Sequence, residues 1–264
     1  MKPDSFLGYL YALRGCFIQR WRTSSSTGDW VLYVGSTVPI AAVIAWIARQ
    51  SNNDLVIAYM SIGVVLMAVW QSSLFRVGWS LSDEMYAGTF ELSLITPTPL
   101  LLVILGKALA LVASGIVFGL PSYAIFFAIV QRAPHIANIP MLVPSLLVAY
   151  ATMLSGVFLF SPLMVLSRGR GGFFNALIPF GFTFSGFLYP ITTLPVALQV
   201  LARLLPMSWA SDAVAISIRG DGSNLEIVGR WAVAFAVSAV WLLLTHLMFA
   251  TVERRLRVTG QVNG

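Results

Sequence analysis

No charged side chain interrupts the chain from Trp30 to Ala48, from Leu55 to Phe75, from Met141 to Leu166 or from Phe173 to Tyr189. Two further runs are nearly as clean, Leu100 to Val130 holding only Lys107 and Ile227 to Ala250 only Arg230. A helix rises about 1.5 Å per residue and a bilayer's hydrocarbon core is about 30 Å thick, so about 20 apolar residues cross it. The expected crossings are therefore residues 30–48, 55–75, 100–130, 141–166, 173–189 and 227–250. In lipid a backbone must satisfy its own polar groups, which leaves helices for runs of this length. The fold class that follows is an all-α integral membrane protein of about six transmembrane helices, a single domain over residues 1–264. Composition agrees: with 58% hydrophobic residues, sixteen basic and ten acidic ones, the chain is too poor in charge to cover a soluble surface. The lone Cys16 excludes a disulfide framework within the chain and supplies too few thiols for a structural zinc site.

The net charge of +6 is distributed in short segments bordering the apolar runs, not along one basic face, so nucleic acid is not the expected partner. Six crossings place both termini on one side. Lys2, Arg14, Arg20, Arg22, Arg76, Lys107, Arg168, Arg170, Arg254, Arg255 and Arg257 fall on that side, against Arg49, Arg132, Arg203, Arg219 and Arg230 on the other. By the positive-inside rule both termini are cytoplasmic. The start of the chain lacks the early apolar region of a signal peptide. Instead Phe6, Leu7, Leu10, Leu13, Phe17 and Trp21 recur at helical spacing beside Arg14, Gln19, Arg20 and Arg22, which predicts an interfacial amphipathic helix within residues 1–25. Pro190, Pro195 and Pro206 cut the stretch before the last crossing into pieces too short to span, predicting re-entrant or extracellular helices over residues 190–220.

No catalytic motif is present. Gly106 and Lys107 suggest a phosphate loop, but Leu101 stands where its first glycine belongs and Ala108 where its magnesium-binding hydroxyl belongs. His135 and His246 lie far apart, outside any HExxH arrangement, and the crossings hold almost no acids for a proton relay or a diacid protease. The chain is expected to be no enzyme and to bind no cofactor of its own.

One polar insert stands out, "DEMYAGTFELSLITPTPLLLVILGK". Around it, residues 81–96 predict a short amphipathic helix on the cytoplasmic face, with Asp83 and Glu84 near its start, where acids suit the helix dipole, and Pro97 and Pro99 ending it. Gly88 would admit a second surface closely. This insert resembles the cytoplasmic segment of the type-2 ATP-binding-cassette exporter permeases. Glu84, Gly88, Thr89, Glu91, Pro97, Gly106 and Lys107 stand at that pattern's places, with Phe90 for its usual Leu and Asp83 where a basic residue is common. The distant "SGFLYPITTLPVALQVLARLLPMSWASDAV" is similar to the same family's segment before the final span.

The resemblance implies a division of labour. A separate subunit, present in two copies, would bind ATP and magnesium and hydrolyse the nucleotide, while this chain and a second permease, identical or paralogous, would form the path. The setting implied is the plasma membrane of a prokaryotic cell. Asp83, Glu84, Gly88, Thr89, Glu91 and Pro97 would make the coupling contact. The cargo expected is a hydrophobic or amphipathic molecule (a drug, lipid or glycolipid) leaving the cytoplasm or inner leaflet. In the fifth run the aromatic side chains Phe180, Phe182, Phe184 and Tyr189 lie beside Pro179, Gly181 and Gly186, so they are candidates to line a path, although packing between helices accounts for most such aromatics. The competing classes are an ion-coupled or passive transporter, which needs intramembrane acids or repeated halves, and a lipid-modifying membrane enzyme, which needs converging catalytic groups. Neither set of residues is apparent.

Overall fold

The computed structural model describes residues 6–23, 27–51, 53–86, 100–166 and 171–259. Its α-helices are α1 (Phe6–Thr23), α2 (Thr27–Gln50), α3 (Asp54–Tyr86), α4 (Leu100–Val130), α5 (Ile139–Leu166), α6 (Gly171–Phe184), α7 (Val196–Arg203), α8 (Pro206–Arg219) and α9 (Asn224–Thr259), with a 3₁₀ turn at Ile191–Thr193. Among the described residues there is no strand. Among the same residues five helices are long and apolar enough to cross a bilayer, through Trp30–Gln50, Asp54–Leu74, Leu105–Val130, Ile139–Phe160 and Asn224–Met248.

The expected crossing at 173–189 is altered. Its helix covers only Gly171–Phe184, fourteen residues or about 21 Å, short of a bilayer core. The backbone breaks at Ser185 and Gly186, where Gly186 takes φ +72°, a left-handed conformation that glycine adopts without steric cost. The topology nevertheless returns across the bundle here. The starts of α5 and α9 lie together, because the Asn138 side-chain amide donates to Asn224 Oδ1 at 3.1 Å. α5 carries the chain to the opposite end, so α6, the turn at 185–190, α7 and α8 bring it back in pieces. We call the face that holds the starts of α5 and α9 distal, and the face that holds α1 proximal.

Two groups of helices build the core. α4 packs against α1, α2 and α3, while α8 and α9 pack against α5. α3 bridges them, touching α2, α4, α5, α6 and α8. The buried core accordingly mixes Ala41, Ile44 and Ala45 of α2, Leu66, Val69 and Trp70 of α3, Met153 and Phe160 of α5 and Met207 and Ala210 of α8. α1 uses Leu13, Cys16 and Phe17 against Gly106 of α4, where a Cβ would fall 2.8 Å from that of Cys16. Its exposed apolar side chains are Leu10, Tyr11, Ile18 and Trp21. The lipid-facing surface of α9 is apolar almost throughout, from Leu225 to Leu247, as expected of a helix with bilayer as its solvent.

The proline-broken stretch folds as the 3₁₀ turn, α7 and α8. α8 begins with Pro206 in its first turn, where a missing N–H costs nothing, and ends at Gly220 with φ +70°. Its end is stitched to the connection between α4 and α5: Ala137 N–H donates to Ile218 O at 3.1 Å and Asn138 N–H to Ser217 O at 3.0 Å.

Candidate functional site

α3 is the element that carries the sequence-predicted docking acids. It runs unbroken for 33 residues, about 50 Å, so Leu81–Tyr86, with Asp83 and Glu84, continue this helix beyond the apolar stretch that ends at Leu74. Gly88, Thr89, Glu91 and Pro97 lie outside the described residues, as does the remainder of the predicted coupling helix. Gly106 and Lys107 sit in the second turn of α4, Gly106 buried under α1.

Where α3 leaves its apolar stretch, Arg76 turns inward. Its side chain is only 2% exposed. The guanidinium donates to Ser114 Oγ of α4 at 2.7 Å, and that hydroxyl donates in turn to Leu111 O at 2.9 Å. The same guanidinium lies 5.3 Å from the ring centre of Tyr33 on α2 and 5.0 Å from that of Phe118 on α4. Trp30 meets Phe118 edge to face at 4.7 Å. A cation removed from water keeps its charge when donors find acceptors and ring faces supply negative potential. Arg76 thus joins three helices at the base of the segment that holds Asp83 and Glu84.

One helical level further in, fully buried Trp70 occupies the junction of α3, α5, α6 and α8. A Cβ on Gly181 of α6 would lie 2.1 Å from its Nε1, and one on Gly156 of α5 would lie 3.0 Å from its Cζ3. Its ring meets Phe160 edge to face at 6.3 Å, and Phe160 meets Trp241 of α9 at 6.0 Å. Toward the distal end of α3, Tyr59 Oη donates to Gly186 O, and a Cβ on Gly63 would lie 2.1 Å from Phe187 O. The candidate path residues gather at the same turn. Phe182 and Phe184 pack partly buried on the core, Phe180 is exposed and meets Phe184 at a tilt of 47° with ring centres 4.7 Å apart, and Tyr189 Oη donates to Thr183 O at 2.6 Å.

A separate polar cluster occupies the distal rim. Asp212 of α8 accepts from Arg203 of α7 and lies 3.5 Å from Arg230 of α9, which also reaches Glu226 at 3.5 Å. Trp209 lies beneath both guanidinium groups, at 4.5 and 5.6 Å, and its Nε1 donates to Arg203 O at 3.0 Å. Among the described residues no three His, Cys, Asp or Glu side chains gather as metal ligands.

The composite is a long helix that continues beyond its apolar span and is clamped to two helix groups and to a broken crossing. The family model of the ABC-2 type transporter matches residues 9–218, from α1 into the last turn of α8. The chain belongs to the ABC-2 type transporter family. A comparison with curated proteins finds no match. As an ABC-2 membrane domain, this chain is a multi-pass permease component whose ATP hydrolysis resides in a separate ATP-binding subunit. The motif around Glu84 pointed to that subunit correctly at the level of family. Sequence reading missed Arg76, counted there only as a border charge, and Trp70 with Gly181. The available signals were an arginine directly after an apolar run and the glycine within "PFGFTF".

Proposed function

We propose that this ABC-2 permease exports a hydrophobic or amphipathic molecule, of drug, lipid or glycolipid type, from the cytoplasm or inner leaflet of a prokaryotic plasma membrane. In this reading the proximal face is cytoplasmic, two ATPase subunits bind there with their ATP and magnesium, and a second permease chain completes the path. The carrying observation is the continuity of α3, which extends from the distal turn to Asp83 and Glu84. Closure of the ATPase pair on nucleotide pushes this rod from its end. Asp83, Glu84 and Glu91 supply acceptors for charge-assisted hydrogen bonds to a basic groove, Gly88 and Thr89 admit the partner's surface, and Pro97 separates the contact from α4. Phe180, Phe182, Phe184 and Tyr189 form the aromatic wall met by the cargo near the broken crossing.

The test uses the tagged permease with its ATPase in phospholipid nanodiscs. Glu84→Lys with Glu91→Lys puts repulsion at the contact and abolishes retention of the ATPase. Glu84→Gln with Glu91→Gln removes only the charge-assisted part, about 1.5 to 3 kcal/mol per bond, and weakens retention. Ser24→Lys with Ser25→Lys is the control and leaves retention intact. Retention by the double Lys variant with loss in the control would refute the docking role. In a Cys16→Ser background, single cysteines at Ser167 and Asn138 should react with an impermeant reagent from opposite sides, Ser167 from the cytoplasm. Proteoliposomes carrying a fluorescent phospholipid or a hydrophobic dye report direction and cargo class.

A further inference from the structure

α6 is poorly held by the rest of the bundle. Its substantial helical neighbours are α3 and the short α7, whereas α5 is seated on α8 and α9, and α4 on α1, α2 and α3. Yet α6 and the turn after it meet α3 at three levels. Gly181 is flush with the pyrrole edge of Trp70, Gly63 is flush with the Phe187 carbonyl, and Gly186 O accepts from Tyr59. Trp70 and Tyr59 are eleven residues apart on α3, about 16 Å along its axis. Contacts that far apart resist both tilt and slide of one element on the other.

The character of the contacts matters as much as their spacing. At Gly63 the opposing atoms are the backbone oxygen and carbon of Phe187, which cannot rotate away as a flexible side chain would. At Gly181 the opposing atoms belong to a planar ring that is also enclosed by Gly156 of α5. Tyr59 adds a directional bond to a carbonyl that the positive φ of Gly186 turns out of the α6 ladder. Close approach through small residues plus a hydrogen bond is the ordinary basis of tight association between helices in lipid.

We propose that α6 and the turn at 185–190 form one rigid unit with α3 and travel with it, Gly63 and Gly181 being the positioning residues that keep them in register. The inference rests on the reading that the ATPase docks at the proximal end of α3. On that basis, displacement of Asp83 and Glu84 reaches the aromatic wall at Phe180, Phe182 and Phe184 directly, without passing through α4 or α5. The group formed by α5, α8 and α9 is the frame against which the unit moves.

The test measures distances between paired spin labels in the complex of permease and ATPase, nucleotide-free and trapped with ATP and vanadate, on a Cys16→Ser background. Labels at Leu55 and at Thr193, whose N–H is bonded back to Pro190 O at the end of the unit, report on the unit, and labels at Leu55 and Leu225 report between unit and frame; all three side chains are exposed. The expected result is an unchanged Leu55–Thr193 distance and a shifted Leu55–Leu225 distance. A Leu55–Thr193 shift as large as the other, or no shift in either pair while ATP is hydrolysed, overturns the proposal. Gly181→Ala drives a methyl into Trp70; the ATPase should still be retained, while its stimulation by the permease is lost. Adding Trp70→Phe, which removes the pyrrole edge, should restore stimulation. Full stimulation in Gly181→Ala, or no recovery in the double variant, also counts against the unit. If the unaltered chain retains no ATPase, the docking reading fails instead, and the Gly181→Ala, Trp70→Phe cycle read as thermal stability of the free permease still decides whether the packing is coupled.

Discussion

The α2–α3–α4 group and the α5–α8–α9 group are both helix triplets in lipid, yet they are joined by different means. The first buries a full charge, Arg76, between two rings and a hydroxyl, and presses Gly115 of α4 on Ser72 and Ser73 of α3, with 2.7 Å from a would-be Cβ to Ser72 Oγ. The second has its charges at the partly exposed distal rim, where Arg230 meets Asp212, and relies on hydroxyls in its interior. Ser155 donates to Ser238 at 3.3 Å, Ser145 and Ser217 approach to 3.4 Å, and Trp231 Nε1 donates to Ser145 Oγ at 3.0 Å. Most of these serines also return a bond to their own helix, as Ser217 does to Ala213 O and Ser145 to Met141 O. A hydroxyl with a home partner loses little when its neighbour slides away, whereas a cation held out of water loses compensation with each partner that withdraws. The difference teaches that the first group is held at a single costly point, a charge taken out of water, and the second by several cheap ones, hydroxyls that also bond within their own helices.

Substitutions at four positions sharpen or break this contrast. Arg76→Met should cost most, about 3 kcal/mol or more, because it removes a charge-assisted hydrogen bond and two desolvated cation–ring contacts at once. Arg76→Lys should recover part of the loss, the ammonium keeping its charge but not the planar stacking. Both are read as thermal midpoints in detergent. Gly115→Ala comes next at about 1 to 3 kcal/mol, the usual cost of overpacking a close contact. Asp212→Asn should cost about 1 kcal/mol or less, since Arg203 and Arg230 are 26% and 31% exposed and can turn to water. Raising salt should shrink that difference further. Ser155→Ala should be smallest, near 0.6 kcal/mol, the average for hydrogen bonds between helices in a membrane. A Ser155→Ala loss equal to that of Arg76→Met would erase the distinction between the two groups.

What could be read from sequence follows the same physics. The lengths of five crossings were legible because lipid imposes length and apolarity on every residue of a span. The broken crossing was not, since Phe173–Tyr189 is uncharged throughout, and although it holds Pro179, Gly181 and Gly186, nothing local says that the helix runs on through Pro179 and Gly181 and breaks at Ser185 and Gly186. The short helices before the last crossing were legible from their prolines, and the structure adds that α8 is almost wholly buried. Family membership was legible in the motif around Glu84. The clamps were not: Arg76 meets Tyr33 and Phe118 from elsewhere in the chain, and Trp70 meets Gly181 more than a hundred residues later. No local period encodes such pairs, which arise only once the helices have been arranged side by side.

The stitch between the α4–α5 connection and the end of α8 has a consequence in time. Ala137 and Asn138 are synthesised about 80 residues before Ile218 and Ser217, the carbonyl partners of their N–H groups, which at ~5–20 residues per second is a delay of several seconds. During that interval α5 already stands in the membrane while its outer edge is unsealed and the two amides must be served by water. α8 therefore closes the molecule as a keystone does an arch, and a ribosome stalled before residue 218 would hold a nascent chain with a wet distal rim.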